Sequence, residues 1–179
     1  MNRMYSPGNY FLARTISGAL FQMAYPTILG IIIFWLLGIQ ITAANFFLFL
    51  ANSWGIVLCG CGLGYLFGSM FDFPQAANMF LSLALQYTYL ISGGFSNPNN
   101  MIGFNRILSY ASPCRYSNEI FFRIMSNSLN EEKYSSLLLE QFGFTLGLGT
   151  CFACLYAIGI IYVTCGYMVV LFKNRQRKG

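Results

Sequence analysis

The sequence predicts an all-α integral membrane protein with four transmembrane helices, and three observations carry that reading. The 179 residues are 56% hydrophobic, 18% aromatic and 8% charged, with a mean hydropathy of +0.57. So few charges cannot cover an ordinary soluble surface. The charges are also segregated: residues 15–71 carry none, Asp72 stands alone before Arg106, and residues 141–172 carry none. The uncharged stretches, finally, divide into four apolar segments at about the 20 residues that a helix needs to cross hydrocarbon. The lipid bilayer is therefore the chain's first partner.

The elements follow in order. Residues 1–15, "MNRMYSPGNYFLART", are polar and aromatic, carry Arg3 and Arg14, and lack the apolar run and small-residue cleavage site of a secretory signal. The first span is placed at 16–38, near-continuous Ile, Leu and Phe after Pro26, with Trp35 where an indole suits the interface. Pro26 removes one helical hydrogen bond, which membrane helices tolerate. The link "IQITAAN" is too short for a domain, so the second span, 45–71, forms an antiparallel pair with the first. "DFP" then leads into the third, 74–95, with Pro74 suited to a first helical turn. Residues 96–142 form the long polar segment, with four basic and four acidic residues and enough apolar ones to fold against the membrane surface. The last span is 144–172, followed by a basic tail, 173–179. Arg3 and Arg14 before the first span and Lys173, Arg175, Arg177 and Lys178 after the last put both termini in the cytoplasm and the long segment outside.

The net charge of +5 comes mostly from that tail, the position of a membrane anchor rather than a nucleic-acid surface. With no histidine, Ser-His-Asp and Cys-His nucleophiles and histidine metal sites are excluded. A phosphate loop needs Lys after Gly, whereas Lys133, Lys173 and Lys178 follow Glu, Phe and Arg. Cys151 and Cys154 form a C-x-x-C inside an apolar helix without further ligands, so they read as packing residues and not as a metal site. No catalytic residue is assigned. Gly60, Gly64 and Gly68 recur at intervals of four, a smooth stripe for close helix approach. It serves either intramolecular packing, the favoured reading, or a subunit interface. Asn52, Ser53, Gln86, Thr88 and Tyr89 are polar positions within spans, where polar groups are costly unless they face helices or a wet cavity. Ser82, Gln86 and Tyr89 share one helical face, either for interhelical hydrogen bonds or to line a substrate path.

Taken in order, these pieces resemble the second half of the membrane domain of white-type ABC transporters, the G subfamily. The motifs that carry the likeness are "YSPGNYFLAR" at Tyr5, Tyr10, Phe11, Leu12, Ala13 and Arg14, "FWLLG" at 34–38, "ISGGFSN" at 91–97 and "SYASPCRYSNEIF" at 109–121. The resemblance covers residues 3–172. It implies that the four spans correspond to helices three to six of a six-helix exporter domain, with a large extracellular loop before the last. It further implies that Tyr5, Tyr10, Phe11 and Arg14 belong to a cytoplasmic coupling helix and that Gln86 and Tyr89 line the substrate cavity. "ISGGF" would lie at the outward valve, where Gly94 and Phe95 stand in place of the family's adjacent bulky residues. Such a half-transporter dimerises, as a homo- or heterodimer, and couples ATP and Mg, held by a nucleotide-binding domain in cis or in trans, to export of lipids, sterols or other amphipathic compounds. On this reading the chain is a fragment, a truncated gene product or a degenerate relative. The alternative is an independent four-span structural or channel-like protein.

Overall fold

The computed structural model of the chain describes residues 7–36, 42–94, 101–128, 140–144 and 146–176. Among these the elements are α1 (Pro7–Leu36), α2 (Ala43–Met70), α3 (Pro74–Leu90), α4 (Gly103–Ala111), α5 (Pro113–Ser128) and α6 (Leu148–Gln176). Three of them begin on proline, whose fixed φ suits a first turn and whose missing N–H costs nothing there. α1 continues through Pro26.

Among the described residues, three stretches are long and apolar enough to cross a membrane: Ala13–Leu36, Ala43–Met70 and Leu148–Lys173. The third expected span differs. α3 has 17 residues, about 25 Å at 1.5 Å per residue, short of a hydrocarbon core of about 30 Å. It stops at Leu90, and residues 91–94 form a turn in which Gly93 adopts φ 92°, a conformation that favours glycine. Nor is there a break at residue 15, since α1 carries the N-terminal segment and the first span as one helix.

α2 and α6 make the most extensive contact, and they run parallel. Gly55 abuts Leu155, Gly62 abuts Tyr162 and Val163, and Gly166 abuts Tyr65 and Leu66, so the two helices keep a register near one hundred residues. A Cβ on Gly62 would come within 2.7 Å of Tyr162 Cβ, and one on Gly55 within 2.6 Å of Leu155. The absent side chains let the backbones approach. α1 lies antiparallel to α2, with Trp54 Nε1 donating to Thr27 Oγ1 at 3.1 Å and Gly30 against Phe49 and Leu50.

Within the 96–142 segment, expected to fold against the membrane surface, the described helix α5 is packed on α2 and α6. α5 inserts between α2 and α6, and the core is built there, from Phe34, Phe49, Cys59, Tyr116, Ile120, Ile124, Cys151 and Leu155. Cys154, the other half of the C-x-x-C, is packed against that core. At the opposite end Lys173 Nζ meets Asp72 Oδ1 at 2.5 Å and Ser69 O at 3.3 Å, while Gly8 lies beside the Tyr167 hydroxyl. The start of α1, the α2–α3 turn and the end of α6 therefore share one end of the bundle, and α5 marks the other. α3 runs between them despite its length.

Candidate functional site

The site is built on the two sides of α3 and on the helix that ties off its end. Ala77 is the buried anchor of α3, 7% exposed. Nearly opposite it, at about 100° per residue, Ser82, Gln86 and Tyr89 fall within a narrow arc and are all exposed. Gln75 and Asn78 are exposed as well and continue the same stripe toward the basic end. Sequence reasoning grouped Ser82, Gln86 and Tyr89 on one face but did not extend that face back to these two. The signal was the spacing of 75, 78, 82, 86 and 89, each three or four residues from the next. An exposed row of amides in hydrocarbon is costly, so this face calls for another protein surface or a watered path.

The far end of α3 is held by α4 and α5. Ser92 Oγ donates to Tyr89 O at 2.6 Å and accepts from Asn118 Nδ2 at 2.9 Å. Ser112 Oγ donates to Thr88 O at 2.8 Å, and the Tyr87 hydroxyl to Asn105 Oδ1 at 3.1 Å. Gly94 is exposed at the rim of the turn, where an added Cβ would meet Asn118 Nδ2 at 3.1 Å. Phe95 lies outside the described residues, so the two-residue valve is described only at Gly94.

α5 itself carries charge into the core. Arg115, 2% exposed, donates from Nη1 to Ser109 Oγ at 2.7 Å and lies 4.1 Å over the Tyr110 ring. Glu119, fully buried, accepts at Oε1 from Arg123 Nη2 at 3.2 Å and from the Leu146 N–H at 2.7 Å. Asn52 of α2 donates to Ser117 O at 3.1 Å. Burial pushes the Cys114 thiol above its ordinary value against the opposing effect of hydrogen bonds to Thr88 and Ser112. Burial likewise raises the Tyr116 phenol, whose hydroxyl donates to Tyr110 O at 2.7 Å. All of this fixes α5, and through Asn118 and Ser112 it fixes the end of α3.

On its other flank α3 helps to enclose a groove of about 1510 Å³ with α1 and α2. Gly60, Gly64 and Gly68 line it, and among the described residues a Cβ on any of them would meet nothing within 4 Å. Among the described residues, close helix approach is made instead by Gly55, Gly62, Gly159 and Gly166 on the α2–α6 face. Of the coupling residues, Arg14 is exposed and borders the groove. Tyr5 lies outside the described residues, as do the side chains of Tyr10 and Phe11, whose backbones belong to α1.

Comparison with known proteins gives two findings. A family model described as ABC-2 type transporter matches residues 1–126. A protein described as ABC transporter G family member 14, from Arabidopsis thaliana, is 32% identical over 93 residues, 51% of this chain and 14% of that protein. The match thus spans 14% of the length of the curated relative.

Proposed function

The chain belongs to the ABC-2 type transporter family, with its likeness to a G family member consistent with a white-type membrane domain, and on that premise we propose that its α3 lines the substrate path of an ATP-driven exporter. The chain is an integral membrane component of an ABC transporter. The proposal adds what passes and what drives it: lipids, sterols or other amphipathic compounds, moved by a nucleotide-binding domain, in cis or in trans, that holds ATP and Mg.

One observation carries this reading, the outward stripe of Gln75, Asn78, Ser82, Gln86 and Tyr89. Amides offer hydrogen bonds to the polar end of an amphipathic substrate, and the phenol ring offers a flat apolar surface with a polar tip. Facing a second copy or a homologous subunit, the stripe would form one wall of a shared path, which supports a homo- or heterodimer. The basic end, with Arg14 and Lys173, is assigned to the cytoplasm, where the start of α1 is placed to receive motion from the nucleotide-binding domain. α4, α5 and the 91–94 turn then stand at the external mouth.

The test is Gln86→Leu in the complete transporter. Transport of part of a broad panel of amphipathic substrates is expected to change while surface expression is kept. Unchanged transport of the whole panel removes Gln86 from the path. The reading as an independent four-span protein predicts instead that this chain alone forms a defined oligomer in detergent, through the open glycine stripe.

A further inference from the structure

The far end of α3 has little packing to hold it. Within α3 the buried residue is Ala77, about three turns before Leu90. The last carbonyls of a helix lack donors of their own, and two of them, on Thr88 and Tyr89, are answered from outside the helix. Thr88 O accepts from Ser112 Oγ at 2.8 Å. Tyr89 O accepts from both the backbone N–H of Ser92, at 3.2 Å, and its hydroxyl, at 2.6 Å. Ser92 is fully buried, and its hydroxyl has one proton to give. Asn118 Nδ2, a donor, meets the same oxygen at 2.9 Å, so the proton is committed to the Tyr89 carbonyl.

Asn118 is itself set on a fixed base. On either side of it along α5, Arg115 donates to Ser109 Oγ, the Ser117 carbonyl accepts from Asn52 of α2, and Glu119 accepts from the Leu146 N–H. Gly94 leaves room for the amide, since an added Cβ there would stand 3.1 Å from Nδ2. We propose that Asn118 is a positioning residue for the substrate path: through Ser92 it fixes the carbonyl of Tyr89, and with it the direction of the phenol at the outer end of the polar stripe. The inference rests on the transport reading, which makes Tyr89 part of that path. Side chains that touch a ligand are held in place by hydrogen bonds from groups behind them, and Asn118 stands behind Tyr89 by two such bonds. Asn118→Asp inverts the relay. Its carboxylate accepts and does not donate, so it draws the Ser92 proton to itself and the Tyr89 carbonyl loses it.

The experiment uses the complete transporter in proteoliposomes and reads the relay and its consequence separately. Hydrogen exchange reads the relay: Asn118→Asp is expected to speed exchange of the Ser92 N–H, which pairs with Tyr89 O, about fivefold, the worth of one hydrogen bond. Transport against concentration, over a panel of amphipathic substrates, reads the consequence. KM is expected to rise about fivefold for the substrates whose KM Tyr89→Leu also raises, with no further rise in the double variant. A merely structural role would lower the maximal rate across the panel and add to Tyr89→Leu. Ser92→Ala removes the hydroxyl from both bonds and is expected to give the same pattern, and it decides by the same criteria where Asn118→Asp is not recovered. Unchanged exchange at Ser92 overturns the relay whatever transport shows. Faster exchange with KM changes that add to those of Tyr89→Leu, or that fall on other substrates, overturns the positioning role and leaves the transport reading standing. A panel untouched by Tyr89→Leu takes Tyr89 out of the path, and the positioning role falls with it.

Discussion

Glu119 shows how a charge comes to rest inside a membrane protein. Its carboxylate is fully buried and accepts from a guanidinium one helical turn away and from the Leu146 backbone N–H, which reaches it from the start of the last helix. The second of these bonds closes the long segment onto α6. Truncation at this position leaves the part-buried Leu146 N–H without its acceptor and Arg123 without its counter-charge, the two mechanisms that make polar deletions expensive. Glu119→Ala is expected to cost about 3 kcal/mol, read as a lowered thermal midpoint in detergent. Glu119→Gln keeps an acceptor for Leu146 N–H and is expected to lose less, because Arg123 is partly exposed and retains access to other partners. Equal losses in the two variants would place the weight on the ion pair instead. The sequence showed an acidic residue flanked by two arginines in a polar segment, which reads as a solvated surface. Nothing local distinguishes that pattern from a buried network, because Leu146, the second partner of Glu119, and Ser109 and Tyr110, the partners of Arg115, are brought there by the fold.

The same limit appears among the helices, where α2 offers two glycine series and, among the described residues, one of them abuts another helix. Gly60, Gly64 and Gly68 mark a face by their period, but a period names no partner, and this face opens on a groove. Gly55 and Gly62 are seven apart on α2, as Gly159 and Gly166 are on α6, and these four form the seam. Matching intervals on two spans are legible in the amino-acid sequence itself, and they are a stronger sign of mutual contact than a single regular stripe. Paired substitutions separate the two faces. Gly62→Leu pushes a side chain into the Tyr162–Val163 backbone and is expected to destabilise by about 3 kcal/mol, with loss of a monodisperse peak on size exclusion. Gly64→Leu is expected to leave both the peak and the thermal midpoint near wild type. The first, second and last apolar spans were readable from hydropathy to within a few residues, as was the proline start of α3. The insertion of α5 was not, since two long helices that are apolar all round give no hint of which side must be covered.

At the scale of the molecule, the contacts fix how the ends are arranged even though no bilayer accompanies them. α2 and α6 are parallel, α1 is antiparallel to α2, and the Lys173–Asp72 pair joins the last helix to the α2–α3 turn. The start of α1 and the end of α6 thus approach one face of the bundle, the face that carries Arg14 and Lys173, while α5 packs at the other. Positive residues are retained on the cytoplasmic side during insertion, so the basic face should lie inside and the segment following α5 outside. With the native cysteines replaced, Asn130→Cys is expected to react with an impermeant maleimide in intact cells, and Phe73→Cys, exposed in the α2–α3 turn, only after permeabilisation. The informative alternative is reaction of both, or of neither, in intact cells. α3 spans only about 25 Å, so labelling from a single side would mean that it turns back within the bilayer instead of traversing it. Its polar stripe would then face a half-membrane vestibule in place of a continuous path. Labelling from opposite sides makes the short α3 a full crossing in a locally thinned bilayer, with Gln75 near the cytoplasmic surface and Tyr89 near the external one.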